Sequence, residues 1–288
     1  MRWDQFRTSS NVEDRRGMGV GGAGGLGLGT IVVLGLIGWA FGIDPRILIS
    51  GAEMVAGGGS SGYEQQQGRQ GTPEDQAGRF ASAILGNTED VWKVVLPQQT
   101  GRQYEAPRMV LFSGATRSGC GSAQSAMGPF YCPLDQTVYL DLSFFQEMQS
   151  KFRASGDFAY AYVIAHEVGH HVENQLGILE RAQQRQREVG GTEANQISVR
   201  VELMADCLAG VWARHSNERY QSLEEGDIEN AIRAAEAIGD DRLQKQQQGR
   251  VVPDSFTHGS SAQRVRWLTA GLKSGQIQSC DTFRASRL

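Results

Sequence analysis

FAYAYVIAHEVGHHVENQ, running from Phe158 to Gln175, is an apolar stretch with helical spacing that contains His166-Glu167-Val168-Gly169-His170, an H-E-x-x-H pattern. Residues four apart share one face of a helix, so His166 and His170 can aim both imidazoles at a single metal ion. Glu167 follows the first histidine directly and can reach a water at that metal. Two imidazoles beside a carboxylate are what a zinc hydrolase needs to activate water. The pattern is short, and a third ligand has to come from elsewhere in the chain. His171 is turned about 100° from His170, so it is expected behind the site or at the surface.

The segment TEANQISVRVELMADCLAGVWARH, residues 192–215, supplies the carboxylates. Glu202 and Asp206 stand at i and i+4 on a helix that also carries Val201, Leu203, Leu208 and Val211. A carboxylate turned into an apolar interior must be paired or bind a metal. Glu202 is the expected third ligand, giving one zinc ion per chain with an open fourth position. Asp206, one turn later, can accept the second ring N–H of a ligating histidine. The competing reading is a solvated pair of helical acids with Arg200 as surface partner. Glu167 is the expected general base, taking a proton from the attacking water and passing it to the leaving nitrogen. A second donor is usually needed for the developing oxyanion. His258, just before a helix N-terminus in FTHGSSAQR, is the candidate for that catalytic role, with Tyr160, Tyr162 and Arg264 as other donors. A structural hydrogen bond at the helix start is the alternative for His258.

The chain has 288 residues and a net charge of −4, too mild to argue for nucleic acid as a partner. Residues 1–16 are polar, with Arg2, Arg7, Arg15 and Arg16 against Asp4, Glu13 and Asp14; residues 17–43 carry no charge. About 20 apolar residues cross a bilayer, so 17–43 is expected to be one transmembrane helix. The arginine bias before it puts residues 1–16 in the cytoplasm and the rest in the periplasm or outside the cell. A cleaved signal peptide and a Gly-rich disordered arm compete with that reading. Residues 44–71 read as a flexible Gly/Ser/Gln-rich tether.

A domain is expected over residues 72–288. Thr72 would cap a first helix from Glu74 to Val95, which Pro97 ends. Pro107–Phe112 and Thr137–Asp141 read as strands, separated by a long loop. Cys120 and Cys132 bracket that loop and are expected to form a disulfide in an oxidising compartment, free buried thiols being the alternative. The remaining chain reads as helices. One starts near Ser143, one is capped by Asp157 and carries the metal motif, and others cover about 192–215, 223–238, 240–248 and 261–274. A small sheet early and helices after it make an α+β domain.

AYVIAHEVGHHVENQLG, RVELMADCLAGVWA, CGSAQSAMGPFYCPLDQTVYLDLSFF and FTHGSSAQRVRWLTAGLKSG together resemble the bacterial putative neutral zinc metallopeptidase family. The resemblance implies one N-terminal membrane helix, a low-complexity tether and a zincin-like domain. It also implies a gluzincin-type site with His166, His170 and Glu202 as ligands and Glu167 as catalytic residue. Thr257-His258-Gly259 is similar to the T-H-P element of membrane zinc proteases of the CAAX-prenyl-protease type, with Gly259 in place of the proline. The expected activity is zinc-dependent hydrolysis of peptide bonds in a peptide or protein substrate. The extended substrate would add to a sheet edge at Val110–Ser113 or Val138–Asp141. A non-catalytic envelope interaction module and a zinc amidase for cell-wall peptides are the other readings.

Overall fold

Met109 and Leu111 alternate with Val110 and Phe112, and this period of two puts apolar side chains on both faces of a strand. A strand buried on both faces belongs in the middle of a sheet, and the computed structural model, which describes residues 1–17, 68–152 and 156–288, places it there. The sheet has five strands, β1 (Val12–Asp14), β2 (Arg69–Gln70), β3 (Arg108–Phe112), β6 (Phe130–Cys132) and β7 (Thr137–Asp141), in the order β2-β1-β3-β7-β6. β3 runs parallel to β1 and to β7, whereas β2 and β6 are antiparallel to their neighbours. A separate hairpin, β4 (Ala115–Ser118) and β5 (Gly121–Gln124), occupies part of what reads as a loop from sequence. A Cys120–Cys132 disulfide fastens this hairpin to β6.

The two faces of the sheet have different covers. Val110, Phe112, Tyr139 and Cys132 form a small cluster with Ala123 of the hairpin. Val12, Met109, Leu111, Val138 and Leu140 point the other way, into the main core built with the helices. Those helices are α1 (Gln76–Thr100), α2 (Ser143–Phe152), α3 (Asp157–Gln175), α4 (Ile178–Val189), α5 (Gly191–Tyr220), α6 (Asp227–Ala237), α7 (Asp240–Gln248) and α8 (Ser261–Ser274). The α+β reading therefore stands for the domain. The two largest fully buried side chains are Trp92 of α1 and Trp212 of α5, and Trp212 Nε1 donates across to Asn87 Oδ1 of α1 at 2.8 Å.

Several boundaries differ from the sequence reading for local reasons. Asp75, not Thr72, caps α1 by accepting from Gly78 N at 3.0 Å. Pro97 lies inside the last turn, and the helix runs on to Thr100 before Gly101 takes a left-handed conformation. Asp157 is the first residue of α3 rather than its cap, and it accepts from Trp3 Nε1 at 3.0 Å. Ser260 does form a full capping box with Gln263 at the start of α8.

Larger corrections concern the N-terminal region and the sheet edges. Residues 1–16, expected as a separate segment, belong to the same compact unit as 68–288. Met1, Phe6 and Val12 are core residues. Residues 68–71, assigned to the tether, contain the strand β2, which pairs with β1. The expected membrane helix at 17–43 and the tether at 44–67 lie, Gly17 apart, outside the described residues; among the described residues no helix is long and apolar enough to cross a membrane. Finally, Val110–Ser113 and Val138–Asp141 are not edges: β3 and β7 are each flanked on both sides, and β6 takes the edge beside β7.

Among the described helices, α5 and α8 pack most closely at their glycines. A Cβ on Gly271 would lie 1.8 Å from the carbonyl oxygen of Cys207, and one on Gly210 would lie 2.3 Å from that of Leu268. A Cys207–Cys280 disulfide closes the same contact from the C-terminal side. Backbone cannot move aside as a side-chain tip can, so overpacking here is costly, about 3 kcal/mol or more. Gly271→Ala is expected to lower the melting temperature by several degrees in thermal unfolding; an unchanged transition would contradict this crossing geometry.

Candidate metal centre

α3 and α5 cross where Gly169 faces Ala205. A Cβ on Gly169 would lie 2.9 Å from the Ala205 carbonyl oxygen and 3.1 Å from its Cα. The glycine inside the H-E-x-x-H pattern thus lets the two backbones touch, and this brings the histidines of α3 against the carboxylates of α5.

Three groups converge there. His166, His170 and Glu202 each offer one ligand atom, and these atoms all lie within 4.8 Å of one another. His166 Nε2 is 3.2 Å from Glu202 Oε2, and His170 Nε2 is 3.6 Å from Glu202 Oε1. The opposite ring nitrogens are also occupied. His166 Nδ1 is 2.9 Å from Asp206 Oδ1, and His170 Nδ1 is 2.8 Å from Glu173 Oε2. A carboxylate at each Nδ1 fixes the tautomer with its proton there, so both Nε2 lone pairs face the third ligand. This donor set of two imidazoles and a carboxylate fits zinc.

Asp206 is the hub behind the ligands. It is wholly buried, and besides His166 it takes a hydrogen bond from Tyr162 Oη at 2.6 Å. Arg264 grips it with two bonds of 2.9 Å, Nε to Oδ2 and Nη2 to Oδ1. Arg264, reached from α8, is itself 3% exposed. A buried pair of this kind is held by its geometry, and removing one partner costs about 3–5 kcal/mol. Burial pushes Asp206 up, but the Arg264 charge and the His166 bond outweigh it and hold the carboxyl below its ordinary value. Asp206 therefore stays an anion that His166 can lean on.

The histidines are shifted by the same partners. Burial lowers His166, yet its bonds to Asp206 and Glu202 raise it to about 9. Burial also raises Glu202, and the two imidazoles overcome this and hold it well below the carboxylate range. Protons and a metal would therefore compete for the same ring nitrogens. Glu167 is buried and accepts no hydrogen bond from the described residues; burial raises its pKa, with His166 and His170 opposing. A carboxylate with a raised pKa and no partner is suited to taking up a proton.

His258 is held differently. Its Nδ1 lies 3.2 Å from Asp240 Oδ1 and 3.0 Å from Thr257 Oγ1, and about half of its side chain is exposed. Asp240 Oδ2 also receives the backbone N–H groups of Thr257, His258 and Gly259 at 2.7, 2.7 and 3.1 Å. The ring is thus fixed by Asp240, which raises its pKa, and Glu202 is near enough to add to that shift. Of the other proposed donors, Tyr162 and Arg264 are committed to Asp206, and Tyr160 stacks on Phe145 at 4.6 Å between ring centroids.

Two residues escaped the sequence reading. Glu173, three residues after His170, looks like a solvated helical acid but is fully buried. Asp240 had no signal beyond opening a helix. His171 is a correction to any surface placement: it is fully buried, with Nε2 2.7 Å from the Glu105 carbonyl and Nδ1 2.9 Å from Tyr131 Oη. It pins α3 to β6 and plays no part in the ligand cluster.

Residues 1–283 match the family described as putative neutral zinc metallopeptidase. The chain belongs to that family. It is 48% identical over 296 aligned positions to "Uncharacterized protein YpfJ" of Escherichia coli strain K12, covering 99% of this chain and 100% of the relative. It is 44% identical over 238 positions to "Uncharacterized protein Rv2575" of Mycobacterium tuberculosis strain H37Rv, covering 79% of this chain and 78% of the relative. No solved structure matches the chain.

Two variants separate ligand support from scaffolding. Glu173→Ala is expected to weaken zinc binding by about 10- to 100-fold in a chelator competition, while His171→Ala keeps zinc and loses stability. Burial lowers His171 to about 4, below the ordinary histidine value of about 6.5. A folded pKa below the unfolded one gives stability that is complete above about pH 6.5 and is lost as pH falls toward 4. The wild type should therefore lose more stability than His171→Ala across that acid window in denaturant titrations; parallel losses would contradict the assignment.

Proposed function

We propose that the chain is a zinc-dependent peptidase whose metal is held by His166, His170 and Glu202. The observation that carries this reading is the convergence of two Nε2 atoms and one carboxylate beside a buried, unbonded Glu167. Zinc bound there supplies a Lewis acid that acidifies water and polarises a carbonyl. The remaining work falls to side chains of the chain. Glu167 accepts the proton of the attacking water and delivers it to the leaving amine nitrogen. Asp206 and Glu173 keep His166 and His170 in the correct tautomer, and Arg264 keeps Asp206 in place. His258, oriented by Asp240, has its Nε2 free of partners among the described residues and is the donor we assign to the oxyanion.

An extended substrate is best accommodated along β6. This edge strand reaches the metal helix through Tyr131, whose hydroxyl also receives Asn174 Nδ2 at 3.0 Å. Adding a strand there replaces the expected addition to β3 or β7, whose edges are already paired. Two disulfides in one domain favour an oxidising compartment, so we place the domain on the extracytoplasmic side.

Glu167→Gln separates catalysis from metal binding. It is expected to retain full zinc content and to lower the cleavage of a mixed peptide library by about 100- to 10,000-fold, the usual share of a general base. Undiminished cleavage by the zinc-loaded variant would remove Glu167 from the role of base, and no cleavage by the zinc-loaded wild type would move the reading to a metal-dependent interaction module.

A further inference from the structure

The N-terminal residues are built into the domain from both sides. β1 pairs in parallel with β3 through Val12↔Met109, Glu13↔Val110 and Asp14↔Leu111, and it pairs antiparallel with β2 through Glu13↔Gln70 and Asp14↔Arg69. Val12 is fully buried. Before the strand, Ser9 Oγ and Asn11 Nδ2 donate to Glu89 Oε1 at 2.6 and 2.9 Å, and Arg7 Nη2 reaches Glu89 Oε2 at 2.6 Å. Glu89 is 2% exposed, so this buried carboxylate of α1 takes its partners from residues 7–11. A Cβ on Gly86 would lie 2.4 Å from the Arg7 carbonyl oxygen, which leaves no space between this segment and α1. After the strand, Arg15 N bonds to Leu111 O at 2.8 Å, and Arg16 Nη2 bonds to Asp75 Oδ2 at 2.5 Å.

The chain that leaves this strand returns to it. Gly68 N donates to Glu13 Oε1 at 2.8 Å, and Gly71 N donates to the Val12 carbonyl at 2.8 Å. Exit and return therefore lie on neighbouring rungs, about 5 Å apart. The uncharged residues 17–43 fall between them. A single crossing would put its two ends about 30 Å apart on opposite faces of a bilayer. A second crossing has no sequence to build it, because residues 44–67 carry Asp44, Arg46, Glu53 and Glu64. One crossing is incompatible with the β1–β2 and β1–β3 ladders, since Val12–Asp14 cannot pair through a bilayer.

We infer that residues 1–17 and 68–288 always lie on the same side of a membrane, with β1 as a permanent strand of the domain. The apolar run does not separate a cytoplasmic N-terminus from an external domain. Where the disulfides place the domain, they place the N-terminus too, and the arginines before the run serve ion pairs within the fold rather than a topology signal. Arg7, Arg15 and Arg16 are all spent on Glu89, Glu13, Asp14 and Asp75. This inference is independent of the peptidase reading.

The test uses the full chain in intact spheroplasts. Asp4→Cys and Lys245→Cys each add one exposed thiol to a chain whose own cysteines are paired. A membrane-impermeant maleimide is applied before and after lysis, with the wild type as background. Equal labelling of both thiols before lysis, or of both only after it, supports the inference. Labelling of one before lysis and of the other only after it overturns the inference. As a second readout, Val12→Asp in the purified full chain is expected to abolish cooperative thermal unfolding. A melting curve like that of the wild type would show that β1 is not in the sheet and would also overturn it.

Discussion

The site depends on the contact between Gly169 of α3 and the backbone of Ala205 in α5. Two helices that carried a side chain at that point would stand apart by the width of a methyl group. Glu202 would then no longer meet the Nε2 atoms of both histidines. The contact also sets the reach of Asp206, one turn along α5, to His166 Nδ1. Its partner Arg264 arrives because α8 packs more tightly still on α5 through Gly210 and Gly271. Two close crossings thus line up three helices, and the polar network is what fills the space they leave.

That network is arranged so that each histidine has its own carboxyl partner. Asp206 serves His166 and Glu173 serves His170, from different helices and at similar distances. With a metal bound, the arrangement would keep each Nδ1 proton hydrogen-bonded to its carboxyl partner and direct both Nε2 lone pairs at one point. It carries a high local charge in the apolar interior, which is tolerable only when fully paired. Arg264 offsets part of it, and a metal held by His166, His170 and Glu202 would offset the rest. Glu167 stands apart from this pairing, which is why it is the group we propose moves a proton.

The site was more legible in the sequence than the sheet. H-E-x-x-H on an apolar helix and Glu202/Asp206 four apart on another are patterns whose chemistry is local to one or two turns. Glu173 was hidden because an acid at the end of a helix looks the same whether it faces water or a ligand. His171 was undecidable by angle alone, since its fate depends on Tyr131 and Glu105, which lie far off in sequence. β1 was the hardest element to find. Val12-Glu13-Asp14 has neither length nor alternation, and its neighbours β2 and β3 lie beyond a long insertion. Its arginines and acids read as solvated or topological charge, yet they are ion pairs inside a fold. The Cys207–Cys280 bridge was equally unreadable, because pairing across a helix and a distant C-terminal turn requires the α5–α8 crossing to be known first.

The central claim is the ligand set, and X-ray absorption at the zinc edge of the zinc-loaded full-length protein tests it directly. The account predicts a first shell of nitrogen and oxygen only, at about 2.0–2.2 Å, with outer-shell scattering from two imidazoles. A sulfur scatterer at about 2.3 Å, or the signature of three or more imidazoles, would contradict it.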